Sequence, residues 1–131
     1  MSTSADIAKV HLRVRRGDTK TWTIVVTDKN GVPKDITLWK FAFTVKKSLA
    51  DIDDDAVLAK DITVHYEPLA GKTQIKLTSA ETARLGIYKY DVQAQYPGAE
   101  EEEVEVRTIM EGSISFYQDC TQRIIDAPEV P

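Results

Sequence analysis

Leu85 to Tyr96, LGIYKYDVQAQY, puts Tyr88, Tyr90, Val92, Ala94 and Tyr96 on one face at strict two-residue spacing. That period belongs to a strand with one buried side. Directly before it, TSAETARLG (78–86) reads as one capped helical turn. Thr78 is a suitable N-cap, Glu81 stands three residues on, and Gly86 suits a left-handed cap. A short capped turn feeding a strand that begins with a tyrosine is how the penultimate strand of many β-sandwiches starts. This segment is therefore read as the centre of the core.

The same alternation recurs on both sides. Ile7 to Val14 alternates with Ala8, Val10, Leu12 and Val14 inward, and KTWTIVVT (20–27) turns Trp22, Ile24 and Val26 inward. Asp28 to Gly31 is a turn through Asn-Gly, and Pro33 marks 32–37 as an edge segment. Leu38 and Trp39 are expected to plug one end. Phe41, Phe43 and Val45 face inward on the next strand, followed by an Asp-rich loop, a strand over 57–66 and its return over 73–77. In the last strand region Val104, Val106, Thr108, Met110, Gly112, Ile114 and Phe116 share one phase. So long a strand calls for a bulge or bend, expected at Gly112. The reading is all-β, an antiparallel sandwich of about seven or eight strands with one short helical turn near 79–85. Residues 1–118 form the sandwich domain and 119–131 a tail or linker. Its structural core is expected to include Trp22, Phe41, Phe43, Tyr88, Tyr90 and Val92.

Composition narrows the function classes. The chain has 131 residues, enough for one core, with a net charge of −4. That balance argues against a general nucleic-acid binder, which needs clustered Lys and Arg. No apolar run approaches a membrane span, and MSTSADIAKV lacks the layout of a signal peptide. Cys120 is the only cysteine, so neither an internal disulfide nor a cysteine-based zinc cluster can be assembled.

Asp51, Asp53 and Asp55 have the opening spacing of a calcium loop, but Ala56 and Ile62 break the pattern. Arg16-Gly17-Asp18 spells a tripeptide read by some adhesion receptors, although a tight turn explains its glycine. His11 and His65 fall on predicted outward faces, and no nucleophile elbow or phosphate loop is present. The expectation is a non-enzyme with no cofactor and no metal. More informative are Val25, Ile87 and Ile109, which lie out of phase with the core faces, and Tyr117, which follows the outer phase. Together they make a candidate interaction face between copies or with a partner.

Three segments carry a resemblance: RRGDTKTWTIVVTDKNGVPKDIT, the FTVKKSL segment with its Asp-rich continuation, and YKYDVQ followed by RTIMEGSISF. Over Val10 to Phe116 the chain resembles the N-terminal domain of baseplate upper proteins and related tail proteins of bacteriophages and prophages. The matching positions are Gly17-Asp18-Thr19, Asn30-Gly31, Pro33 to Thr37, Tyr90-Asp91-Val92 and Gly112 to Phe116. The resemblance implies an immunoglobulin-like sandwich that docks to other tail or baseplate proteins in the multi-copy virion; a homo-oligomer is expected, and charge and hydropathy give the expectation of no nucleic acid and no membrane partner. A cell-surface adhesion or carbohydrate-binding module is the alternative for such a sandwich. Gly86-Ile87-Tyr88 before Tyr90 also matches a tyrosine corner, with Tyr90 where antibody domains place their second cysteine. Tyr88 is then expected to bond a carbonyl of the preceding turn, and Tyr90 to pack near Trp22.

Overall fold

A computed structural model of the chain describes residues 8–48, 56–98 and 103–118. Alternation becomes strand at eight places among them: β1 (Ala8–Lys9), β2 (Leu12–Arg15), β3 (Lys20–Val25), β4 (Lys40–Lys46), β5 (Leu58–Ile62), β6 (Lys72–Leu77), β7 (Gly86–Pro97) and β8 (Val104–Tyr117). One sheet runs β5-β4-β7-β8, with β1 and β2 both beside β8, and β3 and β6 form a second. The inner face of the large sheet contributes Phe41, Phe43, Val45, Tyr90, Val92, Ala94, Ile114 and Phe116 to one core. Ile75 and Leu77 of β6 join it from the small sheet, with Trp22 and Ile24 of β3 half-buried against them. The all-β sandwich read from the sequence is the observed architecture.

The first strand differs from its expected form. β1 and β2 pair with β8 in parallel, Ala8 opposite Met110 and Leu12 opposite Ile114. Between them the chain breaks at Val10 and His11, and Val10 is left exposed instead of inward. Gly112 explains the break. Its φ is +154°, and a Cβ placed on it would lie 2.2 Å from the Val10 carbonyl oxygen. That carbonyl also accepts a hydrogen bond from the Tyr90 hydroxyl at 2.7 Å, and Tyr90 is the residue opposite Gly112 on β7.

The irregularity in β8 lies elsewhere than expected. Val92 pairs with Met110, but Gln93 pairs with Thr108, so Ile109 is the extra residue. One unpaired residue reverses the phase of everything before it. Val104 and Val106 therefore stand exposed on the outer side, while Glu105 and Arg107 share the side of Tyr96 and Ala94. The bend was expected at Gly112; the strand bulges at Ile109, and glycine serves close approach instead.

The Thr78 turn is built as read. The backbone amide of Glu81 donates to Thr78 Oγ1 at 3.2 Å, and that of Thr78 to Glu81 Oε1 at 2.8 Å. The Thr82 amide donates to the Thr78 carbonyl and the Ala83 amide to the Ala80 carbonyl, and the turn does not extend into a helix. Gly86 has φ +124° and opens β7 directly, outside the left-handed cap geometry. A 3-10 turn at Pro68–Ala70 is the other short helical element described. The Asp51–Asp55 loop, Cys120 and the 119–131 tail lie outside the described residues.

Gly112→Ala must move the Val10 backbone and adopt a strained φ, at an expected cost above ~2 kcal/mol. Gly31→Ala, with φ +83° and open space around its Cβ position, should cost only ~1 kcal/mol. Urea midpoints of the two variants compare them directly.

Candidate functional site

Four segments bring the chain's distinctive residues to its surface. At one end of the sandwich, the Arg15–Thr19 turn is locked to the Thr78 turn. The Gly17 amide donates to the Thr82 carbonyl, Thr82 Oγ1 to the Asp18 carbonyl at 2.8 Å and Ser79 Oγ to the Gly17 carbonyl at 2.6 Å. Thr82 is fully buried in doing so. Arg16-Gly17-Asp18 is thus a structural corner whose backbone is held from below, and its glycine supplies φ +86°. Lys60 Nζ adds an ion pair to Glu81 at 2.8 Å. Burial pushes the Glu81 carboxyl up, but the Lys60 contact and the Thr78 hydrogen bonds outweigh it, leaving the pKa below its usual value.

The expected interaction face divides. Ile87, the most exposed of its four residues, and Tyr117 both lie on the outer face of the large sheet, beside Ser115. The guanidinium carbons of Arg13 and Arg15 stand 4.6 and 5.1 Å from the centre of the Tyr117 ring. His11 Nε2 meets Ser115 Oγ at 3.1 Å nearby. Val25 is on the small sheet, a different surface, and Ile109 is half-buried against the core as the bulge residue. The phase argument could not separate these, because it carries no information on which sheet a strand joins.

Further along the same outer face, Ala42, Thr44 and Ala59 floor a shallow depression of about 340 Å³. Lys46, Asp61, Lys89, Asp91, Gln93 and Gln95 rim it. Small side chains on β4 and β5 make the hollow, and longer polar ones on β7 border it. Both signs of charge are present. Among the described residues, no group of three His, Cys, Asp or Glu side chains is placed to hold a metal ion.

At the opposite end from Gly17, two connections are pinned together. The Ile36 amide donates to the Pro68 carbonyl at 3.0 Å, and His65 bridges Trp39 and Thr73. A carbonyl only accepts, so His65 Nε2 donates to the Trp39 carbonyl and Nδ1 accepts from Thr73 Oγ1, both at 2.8 Å. The ring stands edge-on to Phe41, with centroids 5.4 Å apart. His65 was expected outward; it turns inward because Thr73, fully buried on β6, needs a partner. Val64 and Tyr66, its neighbours on either side, consequently face solvent. With Leu38 and Leu69 they form an apolar end, Leu38 being 73% exposed and Val64 85%. Leu38 therefore does not plug the sandwich, whereas Trp39 does, stacked on Tyr96 at 4.3 Å.

The expected core residues assemble around Phe43. Its ring lies 6.3 Å from Trp22 and 5.9 Å from Tyr90, and so stands between the two residues expected to meet. Phe41, Phe43, Tyr90 and Val92 are fully buried, while Trp22 and Tyr88 are half-buried at the margin. Tyr88 donates to the Leu85 carbonyl at 3.1 Å, the corner bond read from the sequence.

No family model matches the chain, and the search of curated proteins gives no match. Among solved structures it is similar to the N-terminal domain of phage TP901-1 ORF48, at TM-score 0.47 and 13% identity, over 86% of this chain and 92% of that one. It is also similar to the immunoglobulin-like domain of mouse leukocyte-associated immunoglobulin-like receptor 1, crystallised as a strand-swapped dimer. There the TM-score is 0.34 and the identity 16%, over 79% of this chain and 86% of that one.

Burial, with the nearby Glu111 carboxylate adding to it, pushes the Tyr90 hydroxyl up to about 12. The unfolded phenol ionises near 10. Between these values the unfolded state has lost a proton that the native state keeps, so stability falls as pH rises. The stability advantage of the natural protein over Tyr90→Phe should be full below pH ~10 and shrink towards pH ~12. Denaturant midpoints across that window measure it.

Proposed function

We propose that this chain is a non-catalytic docking component of a bacteriophage or prophage tail or baseplate, joined to other proteins of the particle through its exposed apolar surface. The carrying observation is the fate of the aromatic and apolar side chains. Trp22 and Trp39 are packed against the core, while aliphatic Leu38, Val64 and Leu69 stand exposed at one end with Tyr66 as the only ring among them. A sugar-binding face works the other way, offering flat aromatic rings to the ligand, whereas protein contacts are centred on apolar groups that lose water on docking.

The sequence motifs that resemble tail proteins all have scaffold roles in this fold. Gly17-Asp18 makes the corner held by Thr82, Asn30-Gly31 makes the turn gathered on Asp28, and Gly112 admits the Val10 carbonyl. Motifs of this kind specify a shape that other proteins meet, and no reacting group is among them. Within the particle the chain acts by presenting faces, and its location is the virion.

Particles purified from the phage or prophage that encodes the chain should contain it in their tail fraction. Leu38→Asp combined with Leu69→Asp should reduce incorporation by ~10-fold or more, because each buries a charge at the contact, while leaving the melting temperature of the isolated chain nearly unchanged. Absence of the chain from the particles would overturn the reading. Retention on an immobilised glycan array, lost on Tyr66→Ala, would favour the carbohydrate-binding alternative.

A further inference from the structure

β8 is paired with β7 along its whole length, but its other edge is covered only in part. β1 begins opposite Met110, and β2 covers Ile114 to Tyr117. From Val104 to Ile109 that edge has no strand beside it among the described residues. Its backbone groups form a short template for another strand.

The side chains on this edge restrict what can occupy it. Because of the bulge at Ile109, Glu105 and Arg107 lie on the inner side, and Val104, Val106 and Thr108 on the outer side. Arg107 Nε is buried and has no hydrogen-bond partner among the described residues. A second copy of the same strand, placed antiparallel about a two-fold axis, must oppose inner residues to inner residues if the two sheets are to continue with matched faces. The axis can then fall on Glu105, Val106 or Arg107. A centre on Glu105 sets two carboxylates opposite each other, and a centre on Arg107 sets two guanidinium groups opposite each other. Like charges directly opposite are destabilising, and opposite charges contribute favourably.

Only the centre on Val106 gives Arg107 a carboxylate without setting like charges opposite each other. It places Glu105 of each copy against Arg107 of the other, Val106 against its own counterpart, and Val104 against Thr108. We propose that this chain forms a two-fold dimer through antiparallel pairing of its β8 edges, centred on Val106. Each Arg107 gains a carboxylate, and the exposed Val104 and Val106 are covered from the side. The same register carries the start of β1, with Lys9, to the Glu103 end of the other copy's β8. This pairing uses the free edge of β8 and none of the residues Leu38, Val64 and Leu69, and it stands whether or not the chain belongs to a tail particle.

Sedimentation equilibrium of the full chain should show a dimer whose dissociation constant rises steeply with salt. Glu105→Arg and Arg107→Glu should each weaken it at least tenfold, and the double exchange should return it to within a few-fold of the natural chain. That recovery cannot come from a folding defect. Val106→Cys in a Cys120→Ser background should crosslink to itself on oxidation, since directly opposed residues have Cα separations that suit a disulfide. A monomer at high concentration, single exchanges without effect, or no crosslink would overturn the proposal. So would a chain that dimerises only after residues 2–7 are removed, since the edge would then be occupied by the chain's own N-terminal segment.

Discussion

The approach of the Val10 carbonyl to Gly112 is the constraint on which the arrangement of the large sheet depends. Three strands meet there: β7 through the Tyr90 hydroxyl, β8 through the missing side chain of Gly112, and the first strand through the carbonyl itself. Tyr90 reaches across its own β8 partner to hold the chain beyond. A buried phenol needs a hydrogen-bond partner, and a carbonyl turned out of its strand needs a donor. Each supplies the other. With no internal disulfide available in a chain containing one cysteine, this polar contact ties the large sheet together and the ring series Trp22, Phe43 and Tyr90 joins it to the small one.

Much of this was legible in the order of residues. Phe41, Phe43 and Val45 are inward because nothing interrupts their alternation, and the Thr78–Glu81 capping pair is a local motif that needs no tertiary partner. Legibility failed where phase depends on an event outside the pattern. Val104 and Val106 look like core residues, since their spacing from Ile114 is even, but a single bulge at Ile109 turns them outward. The reversal depends on how β8 meets β7 and leaves no compositional mark. His65 was misread for the reverse reason. Its partner Thr73 is eight residues away on another strand, and alternation alone cannot show that a buried hydroxyl will draw an imidazole inward.

The candidate interaction face met a third limit. Period-two spacing tells which side of a strand is outer, and a sandwich of two sheets has two outer sides. Ile87 and Tyr117 share one of them, Val25 has the other, and Ile109 belongs to neither. The apolar end around Leu38 and Val64 went unnoticed because it is built by connections, where no period exists. Surfaces made from loops are decided by which connections are pinned together, here by His65 and by the Ile36–Pro68 bond.

The parallel seam between the first and last strands has a mechanical meaning. β2 and β8 point the same way, so tension applied between the two ends of the domain draws them past each other along their length. The ladder of bonds from Leu12 to Arg15 is then strained together, in shear, and cannot be opened one rung at a time. Antiparallel neighbours joined at a hairpin would unzip under the same pull. Tyr90, bonded to Val10 at the head of this seam, resists the first displacement. A domain joined in this way is suited to carry load between the points where its chain enters and leaves.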